Sequence, residues 1–435
     1  MKKRSIVLIL ALWATFFAGA VVQKQNNLVE VNIIVHGICN IQSHFNIPAI
    51  INFLKDTVEN TYYYYNTQLY RQEPYFYQFQ AMQGVGLHQI TDHELKPGNT
   101  CGALHHVLQS TFSLISPEKA AKQQYYTYGW SGVHSVKEYC AVGKQLYTDV
   151  IALKKELIQK GYKPLIRIWG YSHGGNVSLM MAHHYRSKQA DKIDELILLG
   201  TPFISGATVN LIASPLFKIV YNVYSLSDKV QRYDLIHPQA FMCEQKLTKK
   251  SLKVMPKNLI QVRLKYTLPS RHAQKTKKSF AYSQDYSKWS IIAGRSSLLK
   301  NVSPGHLELW LFGWTFDNYR SDYITYPIPA AALSIPYMVH CISTIDKKFF
   351  NPDEEFIIDV RPLHEVVLIN QKVKKCGTVC RAVVPFFDKT TFNDLKNTVL
   401  LYNPLDFTYE RYIQQLTLVD LKTAELLNSR SVQVT

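Results

Sequence analysis

The sequence predicts an α/β fold, a mainly parallel β-sheet flanked by helices. Between Val29 and about Ser205, short apolar runs rich in β-branched and aromatic residues alternate with segments of helical period. Most of these runs close on a glycine or a glycine-containing turn, where a chain leaving a sheet must bend. Scale agrees, because 435 residues can bury a sizeable core and hold one large domain plus an appendage. A hydrophobic share of 47% against a charged share of 19% fits a folded chain and points away from both disorder and a polytopic membrane protein.

Taken in order, residues 31–35 (Val-Asn-Ile-Ile-Val) read as a buried strand ending at His36-Gly37. A second strand covers residues 124–129 and ends at Trp130-Ser131-Gly132. A helix follows from about Val136 to Lys160 and stops at Gly161, a favourable C-terminal residue. Residues 164–169 form the third strand, 175–187 a helix and 195–199 the fourth strand, which closes on Gly200-Thr201-Pro202. Residues 218–224 and 259–266 are the next strand candidates. Residues 40–123 form a long, aromatic-rich insertion with a Tyr62 to Tyr65 run, expected either to cap a site above the sheet or to pack on it as helices. Beyond about Arg320 the runs 355–360, 365–369 and 378–384 predict a small C-terminal β-containing unit spanning 321–435.

The first residues carry an address. Met1-Lys2-Lys3-Arg4 is a basic head, residues 5–17 are almost uninterruptedly apolar, and Ala18-Gly19-Ala20 has the small-x-small pattern of a cleavage site. Residues 1–20 are therefore expected to be a secretory signal, leaving the main domain at 21–320 and the protein exported, periplasmic or secreted. An uncleaved membrane tether is the alternative, since the apolar stretch approaches spanning length. The formal charge of +17 stays strongly positive without Lys2, Lys3 and Arg4. For an exported chain such a surface suits an anionic membrane or envelope polymer better than nucleic acid, for which no motif is present, and a solvated basic face is the plainer and favoured reading. Seven cysteines (39, 101, 140, 243, 341, 376 and 380) leave at least one unpaired in the monomer, and none has the doubled CxxC spacing of a zinc site.

Gly170-Tyr171-Ser172-His173-Gly174 is a GxSxG string. Alone it is modest evidence, but here it follows directly on the strand Leu165-Ile166-Arg167-Ile168-Trp169 and opens a helix. Such a strand-turn-helix presents a serine hydroxyl above the sheet at a helix N-terminus, whose dipole favours developing negative charge. Gly170, Gly174 and Gly175 supply the clearance that so tight a turn needs. A structural glycine-rich turn is the plainer alternative.

With these landmarks in order (the early strand with His36-Gly37, the elbow at Ser172, the strand ending Leu199-Gly200-Thr201-Pro202) the chain resembles the α/β-hydrolase family, in its lipase and esterase branches, over roughly Val29 to Leu311. The resemblance implies a triad in the order Ser, acid, His. Ser172 is then the nucleophile. Asp228, just past the strand 218–223, is the implied acid, with Asp234 as an alternative. His306, in the Pro-Gly loop Ser303-Pro304-Gly305-His306, is the implied base, ahead of His237 and His272. The oxyanion hole would use the backbone N–H groups of His173 and Ile38, with His36 bracing the loop and Cys39 as a small buried neighbour. These roles imply an exported serine hydrolase that cleaves carboxylic esters, lipids among them, through an acyl-enzyme, with no metal or organic cofactor. Thioester or amide cleavage would use the same parts. The contrasting expectation is a catalytically inactive hydrolase-like scaffold that binds an envelope component or partner.

Overall fold

A computed structural model describes residues 27–432 apart from 40–50, 53–54, 79, 187, 189–190, 205–206, 233–244, 250–251, 253, 268–300, 316–324, 347–348, 375 and 405–407. The expected signal at 1–20, Asp234, His237, His272 and Cys243 thus lie outside the described residues. Among the described residues, no helix is long and apolar enough to cross a membrane.

The strands form one mixed sheet. They are β1 (Leu28–Val35), β2 (Gly86–Gln89), β3 (Gln123–Gly129), β4 (Lys163–Tyr171), β5 (Ile193–Leu199), β6 (Phe217–Tyr224), β7 (Leu259–Thr267), β8 (Asn301–Val302), β9 (Glu355–Arg361), β10 (Val366–Val373) and β11 (Gly377–Pro385). The spatial order is β11-β10-β9-β7-β6-β5-β4-β1-β3-β2, with β8 paired to β7. From β3 through β9 the neighbours run parallel; β2, β8, β10 and β11 pair antiparallel. Alternation along β4 explains its two faces. Ile166 and Ile168 join one core with Val31, Ile33, Leu196 and Leu198, while Trp169 and Tyr171 join the opposite core with Ile34, Ile197 and Leu199.

Helix α3 (Val136–Gln159) covers the first face, packed with α4 (His173–Met180). Ser135 caps α3 by accepting from the Glu138 N–H, and Gly161 ends it at φ +84°, a conformation that favours glycine. The α4 helix is shorter than expected, because the chain tightens into a 3₁₀ turn at Met181–His184.

The insertion is not a single cap. Its α2 (Thr100–Ile115) buries Ala103, Leu104, Val107, Leu108 and Phe112 in the second core and packs on α7 (Ala330–Tyr337), so it belongs to a sheet-covering layer. Its α1 (Tyr62–Gln72) packs instead against the C-terminal α8 (Tyr409–Val432), around Tyr70, Phe76 and Val419. Nor do the C-terminal strands make a sheet of their own. β9 pairs in parallel with β7, which would otherwise present an open edge, and Phe356, Ile358 and Val360 enter the same core as Val262 and Leu264.

One polar row crosses this apolar sheet. Arg167 on β4 is buried, donating through Nε to Glu195 on β5, through Nη2 to Glu30 at 3.2 Å and through Nη1 to Asn32 on β1 at 2.9 Å. Removing one partner of such a pair strands the others' charge in a dry interior. Arg167→Met is expected to lower the free energy of unfolding by about 3–5 kcal/mol. Urea denaturation checks this, and a loss below about 1 kcal/mol, the size of a surface pair, would show that the row adds nothing.

Candidate active site

The chain leaves β1 towards β3 and returns past β1 to β4 before moving on to β5, so β1 and β4 flank the switch point of the sheet. Open α/β sheets bind ligands at the carboxyl ends of strands at this point. Ser172 follows β4 directly and Gly37 follows β1; a Cβ added at Gly37 would lie 3.1 Å from the Ser172 Cβ.

The elbow is sterically tight. Ser172 adopts φ 51°, ψ −129°, a left-handed backbone that costs a non-glycine residue of the order of 1–3 kcal/mol. Its N–H donates to the Leu199 carbonyl at 2.9 Å, and its own carbonyl accepts from Gly175 at 3.0 Å. A Cβ at Gly170 would stand 2.5 Å from the Gly175 Cα, and one at Gly174 2.3 Å from the His36 carbonyl oxygen. Side chains at either position would push the turn off the sheet.

Ser172, His306 and Asp228 are brought together. His306 Nε2 lies 3.0 Å from Ser172 Oγ, and His306 Nδ1 lies 2.9 Å from Asp228 Oδ2. Asp228 is fully buried in the turn between β6 and the short α5 (Lys229–Arg232). Its second oxygen accepts from the Gln231 N–H at 2.8 Å, and Gln245 donates to its carbonyl at 2.6 Å. The Glu308 carboxylate accepts from the Gly305 N–H at 2.7 Å, closing the loop that opens α6 (His306–Trp310). Tyr171 stacks on the His306 ring at 5.0 Å between centroids and donates to its carbonyl at 3.0 Å. Burial, reinforced by Asp228, holds the Tyr171 phenol well above its usual range, so it stays a donor.

The two amides expected to face an oxyanion differ in what surrounds them. His173 begins α4, where first-turn N–H groups lack helical acceptors. Its side chain turns to Tyr139, whose hydroxyl lies 2.8 Å from Nδ1, so the ring is engaged away from Ser172. Ile38 is half-buried, and its N–H has no acceptor among the described residues. Burial pushes the nearby Cys39 thiol up to about 11, which keeps it protonated and a poor nucleophile near neutral pH. Among the described residues, no group of three or more His, Cys, Asp or Glu side chains is disposed to hold a metal ion.

No family model, no curated protein and no solved structure matches this chain. The geometry therefore stands on its own.

Sequence reasoning missed several residues around this triad of side chains. Tyr171 was visible only as the variable position of GxSxG, and Gly200 only as the end of a strand. Gly200 adopts φ +57°, and a Cβ there would lie 2.7 Å from Asp228 Oδ2 and 3.4 Å from His306 Nδ1. Gly200→Ala is expected to break the Asp228–His306 hydrogen bond. Proton NMR checks this: a low-field Nδ1–H resonance of His306 is expected in the parent protein and is expected to vanish in the variant, and its persistence unchanged would show that the carboxylate tolerates the intrusion.

Proposed function

We propose that this chain is a serine hydrolase of the α/β-hydrolase type that cleaves carboxylic esters. The observation that carries the reading is the continuous relay from Ser172 Oγ through His306 to Asp228, set at the sheet's switch point. His306 Nε2 is within reach of the serine proton, and a buried carboxylate on Nδ1 selects the tautomer that leaves Nε2 free to accept it. As Ser172 Oγ bonds to the ester carbonyl carbon, its proton passes to His306 and the carbonyl oxygen takes up the negative charge. The Ile38 and His173 N–H groups are the donors proposed for that oxygen. Collapse expels the alcohol, which takes the proton from His306 and leaves an acyl-serine. Water, activated by the same imidazole, then releases the acid. Asp228 orients and stabilises the imidazolium without itself taking the proton.

Esters or lipids are the proposed substrate class, and an anionic membrane or envelope surface is the proposed setting for an exported, strongly basic chain. A fluorophosphonate probe tests the chemistry. The parent protein is expected to be labelled, Ser172→Ala is expected to be unlabelled, and Asp228→Asn is expected to react about 10⁴-fold more slowly because the imidazole takes the wrong tautomer. A parent protein left unlabelled, under conditions in which a known serine hydrolase reacts, would overturn the reading.

A further inference from the structure

The ring of His36 takes no part in the relay, yet it is fully buried beside the nucleophile with every nitrogen engaged. Its Nε2 receives two hydrogen bonds, from Arg71 Nε at 3.1 Å and from the Trp130 backbone N–H at 3.1 Å. A guanidinium and a backbone amide only donate, so Nε2 carries no proton and the neutral ring must carry it on Nδ1. Burial, with the charge of Arg71 next, holds His36 well below the usual imidazole range, in line with a neutral ring. The Nδ1–H therefore donates to the Gly37 carbonyl oxygen, 2.7 Å away.

That carbonyl belongs to the same peptide unit as the Ile38 N–H. In a planar trans peptide the C=O and N–H point in opposite directions, so fixing one aims the other. Gln80 Oε1 accepts from the Gly37 N–H at 3.2 Å and holds the preceding peptide as well. The loop is further pinned where Trp130 Nε1 donates to the His36 carbonyl at 2.8 Å and its ring stacks on His36 at 5.6 Å between centroids. Arg71 itself is buried, and its Nη2 is tied to the Gln83 carbonyl at 2.5 Å.

We infer that His36 is a positioning residue: held in its Nδ1–H tautomer by Arg71 and Trp130, it orients the Gly37–Ile38 peptide so that the Ile38 N–H is aimed at the oxyanion before substrate arrives. The inference rests on the hydrolase reading above. It assigns a function to a histidine, an arginine and a tryptophan amide that the relay leaves unexplained. Preorganisation of this kind matters because a donor already aimed at the developing charge needs no reorganisation during reaction, and loss of one such donor slows reaction by about 10²–10³-fold.

Two isosteric halves of the imidazole separate positioning from packing. In His36→Asn the amide nitrogen overlies Nδ1 and can still donate to the Gly37 carbonyl, but the acceptor for Arg71 and Trp130 is lost. In His36→Gln the amide oxygen overlies Nε2 and keeps those two donors satisfied, but nothing remains at Nδ1. The readout is the second-order rate of fluorophosphonate labelling, normalised to the fraction of protein finally labelled, because the phosphonyl oxygen occupies the same hole. His36→Gln is expected to melt near the parent temperature yet label about 10²-fold more slowly. His36→Asn is expected to melt lower yet recover most of the lost rate per active molecule. Rates that simply follow melting temperature, or a His36→Gln variant that labels at the parent rate, would overturn the inference while leaving the hydrolase reading intact. An unlabelled parent protein would overturn both.

Discussion

The strained backbone at Ser172 is the constraint around which the site is arranged. A serine at φ 51° survives only where its surroundings over-determine it, and here a strand end, a helix turn and a loop do so. The end of β5 accepts its N–H through Leu199, the first turn of α4 donates to its carbonyl, and the loop after β1 closes over it with Gly37 and with the His36 carbonyl beside Gly174. Relaxing the turn would separate Ser172 from the imidazole and from the amides around it in a single motion. The clearance at Gly170, Gly174 and Gly175 is thus coupled to the Ser172–His306 contact as well as to packing.

The polar groups that accompany this bend are satisfied in layers. Asp228 holds His306, while Gln231 and Gln245 hold the turn of Asp228. Glu308 and Tyr171 hold the loop of His306 from the other side. Across the sheet, Arg71, Trp130 and Gln80 hold the loop after β1. Apart from the half-buried Gln245 these groups are buried, and hydrogen bonds in such an interior are both stronger and more costly to leave unmade than in water. At mid-sheet, Arg167 with Glu30 and Glu195 forms a further closed network on β4, the strand that ends at the Ser172 turn.

Much of the fold was legible in the sequence, for physical reasons that differ along the chain. Runs such as 31–35, 164–169 and 195–199 are apolar on both faces, as buried parallel strands must be, and their ends are marked by residues that a turn requires. The candidate triad followed from the elbow string, its strand-turn-helix setting and the order implied by the family resemblance. Pairing partners were less legible. A buried strand such as 355–360 has the same composition whether it starts a new sheet or extends an old one, and only the open edge of β7 decides that it extends. The amphipathic α2 likewise reads as a cap or as a sheet-covering layer until the apolar face it meets is known. Arg71, Gln80 and Trp130 carried no local signal at all, because their role arises from contacts across tens of residues rather than from spacing along the chain.

The most direct measurement is a crystal structure of the protein after exposure to an organophosphate ester. Phosphorus bonded to Ser172 Oγ, with its non-bridging oxygen about 2.7–3.1 Å from the Ile38 and His173 amide nitrogens, is the expected result. A crystal in which Ser172 remains unmodified, or in which the phosphoryl oxygen turns away from both amides, would contradict it.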